Sequence, residues 1–144
     1  GVIGVACPDE YPLLGFISLV APAIARGNAV VAIPSESAPF SALDLYQVFD
    51  TSDLPGGIVN IVSGHKDSLT KTLVEHCEVN AVWYHGSEEV SAAVEFAASE
   101  SMKRTWVNFG KKWNWTGKET QGLEFLRRSC EIKNIWVTMG DGQA

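Results

Sequence analysis

At 144 residues the chain has the length of about one domain, enough to bury roughly two-thirds of its unfolded surface around a single core. Hydrophobic residues make up 46% and charged residues 19%, with a mean hydropathy of +0.05, which excludes a disordered acidic segment. Seventeen acids against eleven bases give a net charge of −6 and a pI near 5.0, which argues against a general nucleic-acid binder.

The chain opens on Gly1-Val2-Ile3-Gly4-Val5-Ala6, which predicts a buried strand at Val2–Ala6. Opening inside a strand suggests a piece of a longer chain, and no basic n-region of a signal peptide precedes the first apolar run. That run, Tyr11 to Ala25, carries Pro12, Gly15, Ser18 and Pro22 and stops at Arg26. It falls short of the ~18 to 20 residues of a membrane span. A helix at Leu13–Arg26 is expected instead, closed by Gly27-Asn28, a pair that tolerates the left-handed conformation of helix ends. A strand at Ala29–Ile33 follows, then a helix at Ala38–Phe49 opened by Ser35 or Ser37 with Pro39 in its first turn. The turn Leu54-Pro55-Gly56-Gly57 leads into a strand at Ile58–Val62, and a helix is expected at Ser68–Glu75. After a strand at Ala81–Tyr84, Ser87 caps a helix at Glu88–Ser99 whose first two residues are acids on the positive helix end. A strand at Thr105–Phe109, an irregular stretch from Gly110 to Gly117, a helix at Lys118–Ser129 and a last strand at Asn134–Met139 complete the order.

Val- and Ile-rich strands alternating with helices specify an α/β fold. The near-continuous apolar strands specify burial on both faces. The expected architecture is a three-layer Rossmann-like sandwich around a mostly parallel sheet of about five strands. Three cysteines without a CxxC pair form no disulfide framework, which places the chain in a reducing cytoplasm. Charge is unevenly spread: residues 103 to 133 hold eight of the eleven bases and three of the seventeen acids. Such asymmetry points to a charged face or to a solvated basic rim.

The run Pro8-Asp9-Glu10-Tyr11-Pro12-Leu13-Leu14, followed by Ala21-Pro22-Ala23-Ile24-Ala25-Arg26-Gly27-Asn28, resembles the aldehyde dehydrogenase superfamily, with its P-W-N-F-P-L and A-P-A-L-A-x-G-N patterns. Pro34-Ser35-Glu36 is similar to the family's K-P-S-E, Leu54 to Asn60 to its L-P-x-G-V-x-N, and Gly86-Ser87 to its F-T-G-S. The likeness covers residues 1 to about 110 as a cofactor-domain-like unit. It then jumps over the subdomain that carries the family's cysteine nucleophile. Residues 111 to 144 read as a linker, a helix and an oligomerisation-type strand, and Gln121 to Asp141 is similar to the family's C-terminal tail. Among relatives the chain is most similar to the truncated, non-catalytic second unit of family-16 aldehyde dehydrogenases.

The resemblance implies a chemistry that can be checked position by position. The family's oxyanion asparagine is Glu10 here, a carboxylate that would repel a developing negative charge. Its general-base glutamate is Asn108, whose amide has no useful basicity. Cys7, Cys77 and Cys130 match no family nucleophile and read as small hydrophobes, so no catalytic residue is assigned. For the NAD cofactor, the ribose-contacting lysine is Ile33, while Glu36 and Ser87 remain as vestigial cofactor-binding residues. Ser87 reads equally as a plain helix cap and Glu36 as a solvated loop acid. The family's second glycine is Ser91, and Glu88 and Glu89 add acidity, so the cleft is expected to be empty or poorly formed.

His65, His76 and His85 lack ligand spacing, so no metal site is expected. Lys111-Lys112-Trp113-Asn114-Trp115 could stack on single-stranded nucleic acid, or pack its indoles at a junction or on a partner. In the last strand Ile135, Val137 and Met139 alternate with Trp136 and Thr138, and the resemblance implies addition to a neighbouring sheet. A fold-back onto its own sheet is the alternative. The resulting expectation is a non-catalytic domain acting in oligomerisation or protein–protein interaction, with no nucleic-acid or membrane partner. An NAD(P)-binding regulatory domain is the alternative.

Overall fold

The computed structural model describes residues 1–137. Five strands form one sheet: β1 (Val2–Ala6), β2 (Ala29–Ile33), β3 (Val59–Ile61), β4 (Ala81–Tyr84) and β5 (Arg104–Val107). Their order is β3-β2-β1-β4-β5 and every neighbouring pair is parallel. Parallel neighbours require crossovers, and helices supply them. These are α1 (Pro12–Ala25), α2 (Phe40–Leu43), α3 (Leu45–Asp50), α4 (Lys66–Glu75) and α5 (Glu88–Ala98). A short 3-10 turn at Lys118–Gln121 and α6 (Leu123–Arg128) follow β5.

Period-two alternation divides the strand side chains between two apolar layers. Ile3, Val5, Ala81, Trp83 and Trp106 pack with Phe16 and Leu19 of α1, Phe125 of α6, and Trp115. Ala6, Val82 and Tyr84 pack with Val74 of α4 and with Val94 and Ala98 of α5. The result is the three-layer sandwich expected from the alternation. No described helix is long and apolar enough to cross a membrane.

Three strands begin and end where the sequence placed them, and the other elements differ for physical reasons. The expected helix at Ala38–Phe49 is two short helices meeting at Asp44. The one at Lys118–Ser129 is interrupted at Gly122, whose backbone is extended (φ −95°, ψ −177°). The helix expected from Ser68 begins at Lys66 because the Glu36 carboxylate accepts the Lys66 backbone N–H at 3.0 Å. The sixth strand is not formed in its described part. Residues 131–137 carry no regular secondary structure, and Ile135, Trp136 and Val137 are 86%, 94% and 81% exposed. The segment pairs with neither free edge of the sheet, β3 or β5, so its backbone donors and acceptors are left without a ladder. Thr138 and Met139 lie outside the described residues.

Candidate functional site

β2 and β4 flank β1, so the crossovers from β1 and β4 depart to opposite sides of the sheet. In open parallel sheets such a switch point opens a crevice at the strand carboxyl ends. Four loops meet there: Cys7–Glu10 after β1, Pro34–Ser37 after β2, His85–Ser87 after β4 and Asn108–Lys111 after β5. A small cavity of about 110 Å3 between them is lined by residues that include Asp9, Glu10, Lys66, His85, Asn108 and Lys111.

Lys66 organises the crevice. Its side chain is 9% exposed, and Nζ lies 2.5 Å from Asp9 Oδ2 and 3.5 Å from the Cys7 carbonyl. The other Asp9 oxygen accepts from Ser35 Oγ at 2.9 Å and from the Glu36 and Ser37 amides at 2.8 and 3.4 Å. Burial pushes the Asp9 carboxyl up. The hydrogen bonds from Lys66 and Ser35, the Lys66 charge and the Ser37 amide outweigh that and hold its pKa below the ordinary value of 3.8. Burial also pushes the Cys7 thiol up to about 12, against a smaller opposing pull from Lys66, so Cys7 is a protonated thiol at neutral pH.

The amino end of α5 is occupied by the chain's own groups. The Tyr84 hydroxyl accepts from the Ser87 N–H at 3.2 Å and donates to Asp67 Oδ1 at 2.9 Å, and burial raises its pKa. That hydroxyl lies where a Cβ on residue 86 would stand, which only Gly86 permits. Ser87 Oγ accepts from the Val90 N–H, and Ser91 Oγ donates to the Ser87 carbonyl at 2.7 Å. Asn108 Oδ1 accepts from the Gly86 N–H and its Nδ2 donates to the Lys111 carbonyl, both at 3.0 Å. The non-glycine Phe109 adopts a left-handed backbone (φ 49°), and its N–H donates to Ser91 Oγ at 3.2 Å.

Behind the crevice, His85 is 1% exposed, and neither ring nitrogen has a hydrogen-bond partner among the described residues. Trp106, Trp113 and Trp115 surround it edge-to-face at 5.4 to 5.6 Å between ring centroids. Burial, and next the Lys66 charge, depress its pKa to about 3, so the ring is neutral.

The structure therefore brings Glu36, Ser87, Glu10 and Asn108 to one edge of the sheet. Glu36 caps α4, Ser87 caps α5, and Asn108 ties two loops together. Ile33 is buried in the α4/α5 layer. Sequence reasoning missed Asp9, Lys66, Tyr84 and His85. Asp9 and Lys66 stand 57 residues apart, so no local pattern joins them. Trp113 and Trp115 of the Lys-Trp stretch pack against the sheet rather than standing free. Among the described residues no group of three or more metal-ligating side chains occurs.

Comparison with known proteins accounts for this frame. Residues 1–115 match the model of the aldehyde dehydrogenase family. Over 112 residues the chain is 38% identical to a 3-succinoylsemialdehyde-pyridine dehydrogenase of Pseudomonas sp, covering 78% of this chain and 24% of that protein. It is 36% identical to aldehyde dehydrogenase 1A1 of Equus caballus over 113 residues, covering 78% and 23%. An indole-3-acetaldehyde dehydrogenase solved in its apo form superposes with a TM-score of 0.73 at 33% identity, over 78% of this chain and 26% of that one. The chain thus spans about a quarter of the length of these relatives. On the match to residues 1–115 and this shared fold, the chain belongs to the aldehyde dehydrogenase family.

Proposed function

We propose that this chain is a non-catalytic aldehyde-dehydrogenase-like domain that works through protein contact, in oligomerisation or in recruiting another protein. We further read it as the counterpart of the truncated second unit of family-16 aldehyde dehydrogenases. One observation carries the reading: Lys66, the Glu36 carboxylate and the Gly86 and Ser87 amides at the carboxyl edge are engaged by the chain itself. Lys66 is paired with Asp9, Glu36 holds the first turn of α4, and the Ser87 amide is taken by Tyr84. A dinucleotide would have to displace these contacts beside Glu10, Glu88 and Glu89. The neutral, buried Cys7 thiol and the Asn108 amide offer neither nucleophile nor base there.

The contact surface we assign is the C-terminal segment, where Ile132 and the run Ile135-Trp136-Val137 are exposed. Exposed apolar side chains with a tryptophan among them suit a partner interface. All three cysteines are free, which suits the cytoplasm.

A second reading, an NAD(P)-binding regulator, is favoured by the exposure of Glu36 and Ser87 at the crevice mouth. Thermal denaturation with millimolar NAD and NADP separates the two. A ligand that binds the native state raises the Tm by mass action. We expect no rise with either nucleotide; a rise of several degrees, saturating with ligand, would replace the first reading with the second.

A further inference from the structure

A second cavity, of about 460 Å3, lies between β5 and α6 and shares no lining residue with the carboxyl-edge crevice. Its lining includes Trp83 and Trp106 together with three arginines, Arg104 of β5 and Arg127 and Arg128 of α6. Among the described residues, Glu124 is the one acid that lines it. β5 and α6 thus gather part of the basic C-terminal stretch into one concavity of a size that suits a small ligand.

The three guanidinium groups are not equivalent. Arg128 is held in place: its Nε donates to Glu124 Oε1 at 2.7 Å, and its guanidinium sits 5.5 Å from the centre of the Trp106 ring. Arg104 and Arg127 make no ion pair and no side-chain hydrogen bond among the described residues. One nitrogen of Arg104, Nη1, is also shielded from solvent without a partner.

We infer that this cavity binds a small organic anion, a carboxylate or phosphate monoester carried on a flat apolar body. The planar fork of a guanidinium matches the paired oxygens of either oxyanion. Trp83, Trp106 and Ile132 supply the apolar part of the lining for the body of the ligand. Glu124 alone does not neutralise the three cations, so the lining keeps a net positive charge in a chain of net charge −6.

The test is calorimetric titration of the full chain at low salt with benzoate and with phenyl phosphate, and with benzamide as the neutral isostere. We expect at least one anion to bind at a one-to-one ratio, and benzamide to bind at least about tenfold more weakly, as loss of a charge-assisted pair requires. The ratio of the two anion affinities tells which oxyanion the pocket prefers. Arg127→Gln lies on an exposed turn of α6 and should weaken binding about tenfold without unfolding the chain. Arg104→Gln should do the same, and the Arg127 variant stands as the readout if Arg104→Gln fails to fold. Absence of binding by both anions at millimolar concentration, equal binding of benzamide, or unchanged affinity in Arg127→Gln would overturn the assignment.

Discussion

Lys66 is the side chain on which the carboxyl edge depends, because a buried ammonium must keep its counter-charge. Asp9 supplies that charge and orders the β2 loop through Ser35 and the Glu36 amide. Asp9→Asn leaves Lys66 without its carboxylate and should destabilise the chain by about 1–3 kcal/mol, read from urea unfolding at neutral pH. The Asp9 pKa is depressed, so its contribution is present above the unfolded carboxylate value of 3.8 and disappears as pH falls through the folded value. His85 acts in a higher window. Its ring is neutral in the folded state down to about 3 but takes a proton near 6.5 when unfolded. Between those values the unfolded state binds the extra proton, so stability falls as the pH is lowered. One proton corresponds to about 1.4 kcal/mol per pH unit. His85→Phe, set in the same box of indoles, should flatten the stability profile between about pH 6.5 and 4; an unchanged slope there would contradict the burial of a neutral ring.

Helix ends are where the elements hold one another. Gly27 adopts a left-handed conformation (φ 78°) after α1, and Asn28 Nδ2 then donates to the Ala23 carbonyl and to the Ser129 carbonyl, each at 2.9 Å. Asn28 Oδ1 also accepts from the Gly1 amino group at 3.2 Å, so one buried amide joins α1, the end of α6 and the start of β1. Asn28→Ala should cost about 1–3 kcal/mol. It should also speed hydrogen exchange across Leu123–Arg128 while leaving β1 and β4 protected. The same contacts explain what was legible in the sequence. β1, β2 and β4 are central, apolar and locally consistent, so their limits could be read from composition. The start of α4 could not be, because its cap is Glu36, thirty residues upstream. The Lys111–Thr116 stretch fits no period because its two indoles are fixed by tertiary packing on Trp106, His85 and Phe125. Motif resemblance located Glu36, Ser87 and Asn108. It was silent on Asp9 and Lys66, whose pairing exists only once the sheet has formed.

At the scale of the whole molecule, the sheet has two layers of cover and the aromatic platform of Trp106, Trp113, Trp115 and Phe125 closes one of them. That platform is supplied by residues 106 to 125, so the α6 side of the sheet is closed within the described chain. The segment after Cys130 stays uncovered, with four apolar side chains each at least 77% exposed. A crevice whose Lys66, Gly86 and Ser87 donors are already engaged and an exposed apolar tail both favour contact over catalysis. Strand addition suits such a tail, since an extended segment brings backbone donors and acceptors together with alternating side chains. Sedimentation equilibrium of the full chain beside a variant lacking residues 132–144 tests this most directly. The account predicts concentration-dependent self-association of the full chain that is lost in the truncated one, with the sheet's circular dichroism retained. Identical mass-action behaviour of the two would contradict the assignment of the contact surface to this segment.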